Sequence, residues 1–254
     1  QSLAAKPYLF GVFPYLTPLR MDDIYAPISV ELSTRLDRAV RFRTSSSMPR
    51  YRARLRDEYY DFAIIQPVLY PLAVDQLGYI PLARIEEQVN AVIIVTENSS
   101  IKSVADLKGK RVGIPPVRGP VFALAKRGLA KHGLSPDSDV SFEKNRTMAT
   151  CFQKLLVSHT DACVAPDFAV GPFERSMGVN FRILYRSEAV PNQALVVHPR
   201  VPQAERIRIM QAFLSLGDTP QGQIILKSLK SKGFIEIDDS DYDAVRSFVG
   251  DMNN

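Results

Sequence analysis

Short apolar runs alternate with amphipathic stretches along most of the chain. Tyr8-Leu-Phe-Gly-Val-Phe13, closed by Pro14, has the length and composition of a buried strand. Between Ile24 and Arg38 the apolar residues Ile28, Leu32 and Leu36 recur four apart, which places them on one face of a helix. Val40 to Thr44 predicts the next strand, and Ser47 ahead of Pro49 reads as an N-cap with proline in the first turn. Phe62-Ala-Ile-Ile65 predicts a third strand, and Pro67 to Leu77 a helix stopped by Gly78.

The second half follows the same alternation. It predicts a strand at Ala91 to Thr96, a short helix capped by Ser103, a strand at Arg111 to Ile114, and a helix from Pro120 to His132 that ends at Gly133. A helix near Ala149 to Ser158 and strands at Ala162 to Ala165 and Ala194 to Val197 come next. From Val201 onward the pattern is helical only, with starts at Thr219-Pro220 and Ser240. No internal repeat, low-complexity tract or Gly/Ser linker is visible. Strand followed by helix, many times over, predicts an α/β protein of mostly parallel sheets flanked by helices.

Composition narrows the classes. The longest apolar runs, such as Ala91 to Val95, are far shorter than the ~20 residues of a membrane-spanning helix, so a soluble chain is expected. The opening Gln1-Ser-Leu-Ala-Ala5 has no initiator Met, basic n-region or apolar h-region, as in a mature exported protein or a trimmed chain, so export is allowed. A formal charge of +5, from 32 basic and 27 acidic residues, suits anionic ligands. Arg50, Arg52, Arg54 and Arg56 alternate, which on a helix spreads them around the cylinder as a solvated face. No stripe or motif of a nucleic-acid surface accompanies them. The two cysteines, Cys151 and Cys163, make neither a disulfide scaffold nor a zinc module, and their separation leaves open whether they join. His132, His159 and His198 lack metal-ligand spacing, and His132 and His159 fall at helix ends. There is no G-x-S-x-G, P-loop, G-x-G-x-x-G or H-E-x-x-H, and Asp238-Asp239-Ser240-Asp241 reads as a helix start. No enzyme, cofactor or metal is expected.

Residues 91–114, Ala-Val-Ile-Ile-Val-Thr-Glu-Asn-Ser-Ser-Ile-Lys-Ser-Val-Ala-Asp-Leu-Lys-Gly-Lys-Arg-Val-Gly-Ile, closely resemble the hinge strand, I-x-S-x-x-D-L-K-G-K helix and following strand of type II periplasmic substrate-binding proteins. The likeness is greatest to the phosphate/phosphite/phosphonate (PhnD-like) family of ABC transporters. It extends to Phe10-Gly-Val-Phe-Pro14, Tyr60-Asp-Phe-Ala63, His159-Thr-Asp-Ala162, Val190-Pro-Asn-Gln-Ala-Leu-Val-Val-His198, Lys232-Gly-Phe234 and Asp241-Tyr-Asp-Ala-Val245, so that it covers the chain from about residue 8 to residue 249. The resemblance implies a Venus-flytrap fold, with lobe 1 at 1–92 and 196–254 and lobe 2 at 93–195. It also implies a small anionic ligand in an interlobe cleft. The partner would be an ABC permease or, in a signalling system, a membrane sensor kinase; no nucleic acid and a monomer are expected.

In open α/β sheets, ligands sit at the carboxyl ends of the strands. That rule selects Tyr15, Ser47, Met48 and Gln66 in the first lobe, and Arg118, Gly119, Thr147, Met148 and Asp167 in the second, to which Cys151 is added from the first turn of the following helix; Tyr15 and Gln66 read equally as a capping tyrosine and a loop amide, and Asp167 alternatively caps the turn after it. The family's loop at Pro115 to Pro120 usually carries hydroxyl residues and glycine opening a helix whose N–H groups cradle phosphonate oxygens. Here it is Pro-Pro-Val-Arg-Gly-Pro, and the family's histidine near Thr147-Met148 is also missing, which opens the identity of the anion. Arg118 is able to replace the hydroxyls with a charge-assisted contact, or it stands exposed on a lobe rim. Met48, Met148 and Cys151 either pack apolar interior or supply soft donors to a thiophilic ligand such as arsenite. The expected function is capture of a small oxyanion for an ABC importer; the alternative is a histidine-kinase-coupled sensing module.

Overall fold

The computed structural model describes residues 6–115 and 119–253, with the side chains at 248 and 250–253 excepted. In chain order the elements are β1 (Tyr8–Val12), α1 (Pro18–Leu36), β2 (Val40–Arg43), α2 (Met48–Arg56), β3 (Phe62–Ile65), β4 (Ile80–Ile85), β5 (Gln88–Val89), β6 (Ala91–Thr96), β7 (Arg111–Ile114) and α3 (Pro120–Lys131). There follow β8 (Ser141–Lys144), α4 (Met148–Leu156), β9 (Ala162–Pro166), α5 (Asp167–Met177), β10 (Phe181–Arg186), β11 (Val190–Pro191), β12 (Ala194–Val197), α6 (Gln203–Leu214), α7 (Pro220–Leu229), β13 (Phe234–Glu236) and α8 (Asp243–Asn253). The chain divides into two compact units. One comprises the chain up to Gln88 with Pro191–Arg246; the other comprises Val89–Val190 with the chain from Ser247.

Each unit is built on one sheet. In the first the order is β13-β4-β12-β3-β1-β2, and in the second β10-β6-β9-β7-β8; β5 and β11 form a separate two-stranded ladder. The sheets are mixed rather than mostly parallel. Strands β2, β1 and β3 run parallel, as do β8, β7 and β9, because a helix crosses over between each consecutive pair. Strands β12 and β6 enter their sheets directly after a short loop, with no crossover helix, and pair antiparallel with β3 and β9. Strands β4 and β13 extend the first sheet antiparallel, and β10 extends the second.

Several local expectations are corrected. The region after Val201 is not purely helical, since Phe234–Glu236 adds an edge strand against β4. Pro67 to Leu77 is no regular α-helix: Pro67 and Pro71 cannot donate to the ladder, and the segment resolves into a 3₁₀ turn followed by a π-type turn over Pro71–Gln76. Ser103 does not cap by its hydroxyl. The Asp106 carboxylate instead accepts the N–H of Lys102 at 2.9 Å, the N–H of Ser103 at 2.8 Å and the Ser103 hydroxyl at 3.0 Å. These bonds hold the Asp106 carboxyl below the usual range. Ser47 and Thr147 do cap their helices, accepting from the N–H of Arg50 at 3.4 Å and of Thr150 at 3.0 Å.

A structural repeat that composition conceals runs through both units. The order β1-α1-β2-α2-β3 recurs as β7-α3-β8-α4-β9, with the same strand arrangement. Ser47 and Thr147 cap equivalent helices, and Glu58 and Ser158 adopt left-handed conformations, with φ of 54° and 57°, at equivalent turns. Asp61 and Asp161 do the same work at the amino ends of β3 and β9. Asp61 accepts the Leu9 N–H at 2.7 Å while its own N–H donates to the Leu9 carbonyl at 2.9 Å, and Asp161 makes the same pair of bonds with Arg111 at 2.8 Å each. Both aspartates fasten the start of one parallel strand to its neighbour.

Each unit buries its own apolar residues. In the first unit Phe10 stacks on Phe62 at 5.0 Å, with Tyr25 of α1 and Phe213 of α6 edge-on to it. In the second, Val92, Ile94, Cys151, Phe152, Leu155, Cys163, Ala165 and Val170 form a buried cluster. Burial of each large side chain contributes roughly 1.5–3 kcal/mol. Within that cluster Cys151 of α4 is disulfide-bonded to Cys163 of β9, with Cα atoms 6.2 Å apart.

Candidate functional site

In the first unit the carboxyl ends of three adjacent parallel strands lead into the selected loops. Strand β1 leads to Tyr15, β2 to Ser47 and Met48, and β3 to Gln66. The Gln66 side chain is 3% exposed, its Nε2 donates to the Met48 sulfur at 3.5 Å, and its Oε1 has no partner among the described residues. A buried amide oxygen without a donor costs about 1–3 kcal/mol, which singles Gln66 out from the well-satisfied groups around it. Tyr15 lies over Phe13, ring centroids 5.2 Å apart, and its hydroxyl is 3.1 Å from that of Tyr25. Burial pushes both phenols above their usual range, Tyr25 further, so each stays a neutral donor at physiological pH. Tyr51 on α2 donates to the Ile64 carbonyl at 2.9 Å and so fixes the helix start that Ser47 caps.

In the second unit β7, β8 and β9 lead to Gly119, to Thr147 and Met148, and to Asp167. Arg118 lies outside the described residues. Gly119 precedes α3 and accepts the Ala123 N–H at 3.2 Å, with no side-chain cap. Met148 packs against the buried cluster, which favours its apolar role. Cys151 requires a correction: its sulfur is bonded to Cys163 and fully buried, so it offers no thiolate, and a soft-donor set of Met48, Met148 and Cys151 for a thiophilic ligand loses its strongest member. Asp167 begins α5; its carboxylate takes the Arg186 guanidinium at 2.8 Å and the Asn90 amide at 3.3 Å.

One residue escaped the sequence reading. Asn145 follows β8, is 2% exposed, and donates through Nδ2 to the carbonyls of Ile114 at 3.3 Å and Glu143 at 3.0 Å, while its Oδ1 has no partner among the described residues. A polar residue directly behind a strand was the available signal, but that strand, Ser-Phe-Glu-Lys, carries too little apolar pattern to be seen. No acidic residue occupies the first turn of α2, α3 or α4, so nothing opposes the positive ends of these helices. Among the described residues no group of His, Cys, Asp and Glu is arranged to hold a metal ion, and no helix is long and apolar enough to cross a membrane.

The histidines lie elsewhere. His198, at the end of β12, bonds to Asp61 through its N–H at 2.8 Å, at the opposite end of β3 from Gln66. Its Nδ1 accepts the Arg200 N–H at 3.1 Å, and Nε2 is 3.4 Å from the Glu58 carboxylate. Burial, then the Arg200 charge, pushes the imidazolium down, with Glu58 and Asp61 opposing. A group that binds its proton less readily when folded withdraws stability as pH falls below its unfolded pKa of about 6.5. The midpoint of thermal unfolding is therefore expected to fall between pH 7 and 5, and His198→Gln to lose that part of the slope. Parallel pH profiles for the two proteins would show that His198 is not the group responsible.

Two α/β units, each presenting loops and helix starts at the carboxyl ends of parallel strands, define a solute-binding protein of the two-unit kind. The chain belongs to the family described as "ABC transporter, phosphonate, periplasmic substrate-binding protein", which matches residues 10–242. Its fold is shared with XAC2383 from Xanthomonas citri bound to ATP, at a TM-score of 0.81 and 15% identity over 98% of each chain. It is shared equally with PhnD1 from Prochlorococcus marinus in complex with methylphosphonate, at 0.79 and 16% over 98% of each chain. The periplasmic aliphatic sulphonate binding protein SsuA from Escherichia coli follows at 0.65 and 15%, over 98% of this chain and 92% of that one. No curated protein matches the chain by sequence. The type II periplasmic-binding fold and a solute-binding role in ABC transport are thereby established, and the family is one of binding proteins that work with a permease outside the cytoplasm.

Proposed function

We propose that the chain captures a small oxyanion, a phosphonate or a close relative, in the periplasm and delivers it unchanged to an ABC permease. The observation that carries this reading is the buried Gln66 amide with an unanswered oxygen beside Met48, at a strand end where ligands of such folds gather. Its Oε1 suits a protonated oxygen of the solute. In the same unit, neutral Tyr15 and the hydroxyl-capped start of α2 supply donors to anionic oxygens. Arg118, in the loop that lacks the family's hydroxyls, would add the positive charge. Tetrahedral oxyanions are the first solutes to try, a choice supported by the neighbours bound to methylphosphonate and ATP and the one named for sulphonates.

The test is a thermal-shift panel of phosphate, phosphite, methylphosphonate, an aliphatic sulphonate and arsenite. A solute present at 100 times its dissociation constant stabilises by about 2.7 kcal/mol. Gln66→Leu and Arg118→Ala are each expected to abolish the shift given by the best anion, measured against the apo midpoint of the same variant. A full shift in either variant removes that residue from the site, and no shift with any anion overturns the solute class.

A further inference from the structure

Most arginines elsewhere in the first unit answer carboxylates, among them Arg35 with Glu31, Arg84 with Asp241, Arg200 with Asp61 and Arg246 with Asp75, while Arg38 and Arg206 donate to backbone carbonyls. Six others form a group apart. Arg41 and Arg43 of β2 and Arg50, Arg52, Arg54 and Arg56 of α2 have no carboxylate in ion-pair range among the described residues. The contacts these guanidiniums make are to uncharged groups, such as Arg43 to the Phe42 carbonyl at 2.8 Å and Arg54 to that of Thr44 at 2.6 Å. Together they exceed the whole formal surplus of +5, so the remainder of the chain carries no net positive charge.

All six share one face of the sheet. Phe10 and Phe42 both contact Tyr25 and so point towards α1. Side chains alternate along a strand, so Arg41 and Arg43 point the other way, as does the Gly11 position, which faces Tyr60. Tyr60 packs against Tyr51 of α2, which places α2 on that same side. Tyr51 and Leu55 are the buried face of α2, which leaves Arg50, Arg52 and Arg56 exposed and Arg54 half-buried. Asp57 and Glu58 fall only at the far end of the helix.

We propose that this face docks on an anionic phospholipid surface, so that the protein is concentrated at the membrane that holds its permease. Protein interfaces are centred on buried aromatic and aliphatic anchors. Among the described residues of β2, α2 and the turn after it, the one large exposed apolar side chain is Tyr59, and the Arg54 guanidinium covers its ring at 4.7 Å. A lipid headgroup layer needs no such anchor, because clustered basic residues are attracted to it individually and reversibly. The proposal does not depend on which solute is carried.

Co-sedimentation with phosphatidylcholine vesicles, with and without phosphatidylglycerol, tests it. Binding is expected only to the anionic vesicles. It should weaken steeply as screening shortens from about 30 Å at 0.01 M salt to about 8 Å at 0.15 M. The combined variant Arg41→Gln, Arg43→Gln, Arg52→Gln and Arg56→Gln is expected to bind more than about a hundredfold more weakly at low salt, at roughly fivefold for each arginine. Its unfolding midpoint and solute-induced shift should match those of the parent, which shows that it folds. No binding to anionic vesicles, or equal binding by the variant, overturns the proposal. So does binding found only with the permease in phosphatidylcholine nanodiscs and lost in the variant, which would assign the face to an acidic protein partner.

Discussion

Cys151→Ala with Cys163→Ala, or reduction of the bridge in the parent, is expected to lower the stability of the second unit by about 3 kcal/mol, the entropy of closing a loop of this length in the unfolded chain. The bridge ties the first turn of α4 to β9 inside a cluster that includes Phe152 and Val170. For a unit of this size, at roughly 2.1 cal/mol/K of unfolding entropy per residue, the loss corresponds to a drop of about 13 °C in the midpoint of its transition. Calorimetry with and without reductant reads it directly, and a reductant-independent midpoint would show that the bridge does not form in solution.

Gly113→Ala is the second large effect. A Cβ at this position of β7 would stand 2.7 Å from the Cys151 sulfur and 3.2 Å from the Asn145 amide nitrogen. Neither neighbour yields easily: the sulfur is bonded across to β9 and fully buried, and the amide is held by two carbonyls. Overpacking of this kind costs about 1–3 kcal/mol. Because the collision is with the sulfur, the cost should shrink in the Cys151→Ala, Cys163→Ala background, giving a coupling of about 0.5–3 kcal/mol in a double-mutant cycle. Strict additivity of the two losses by chemical denaturation would place the clash elsewhere.

The strongly apolar strands β1, β3, β6 and β12 were legible in the sequence because each is buried along nearly its whole length. Strand β8, Ser-Phe-Glu-Lys, and β13, Phe-Ile-Glu, were not, since both are edge strands whose exposed positions dilute the pattern. The helix starts at Ser47 and Thr147 lie at the strand-end loops that the alternation implied, whereas the pairing of Gln66 with Met48 depends on a contact between two loops that local spacing cannot reveal. The bridge was undecidable for a similar reason. Twelve positions separate its cysteines, and only the packing of α4 on β9 decides whether they meet.

Asp61 and Asp161 bind the incoming ends of their strands to the backbone of β1 and β7 by the same pair of bonds, although nearly every side chain around them differs. Anchoring one extremity in this way sets the strand register away from the loops at the other. On the proposed reading, mutation can rewrite Tyr15, Gln66, Arg118 or Thr147 and retune the cargo, while the hydrogen-bond register of both halves is inherited unaltered.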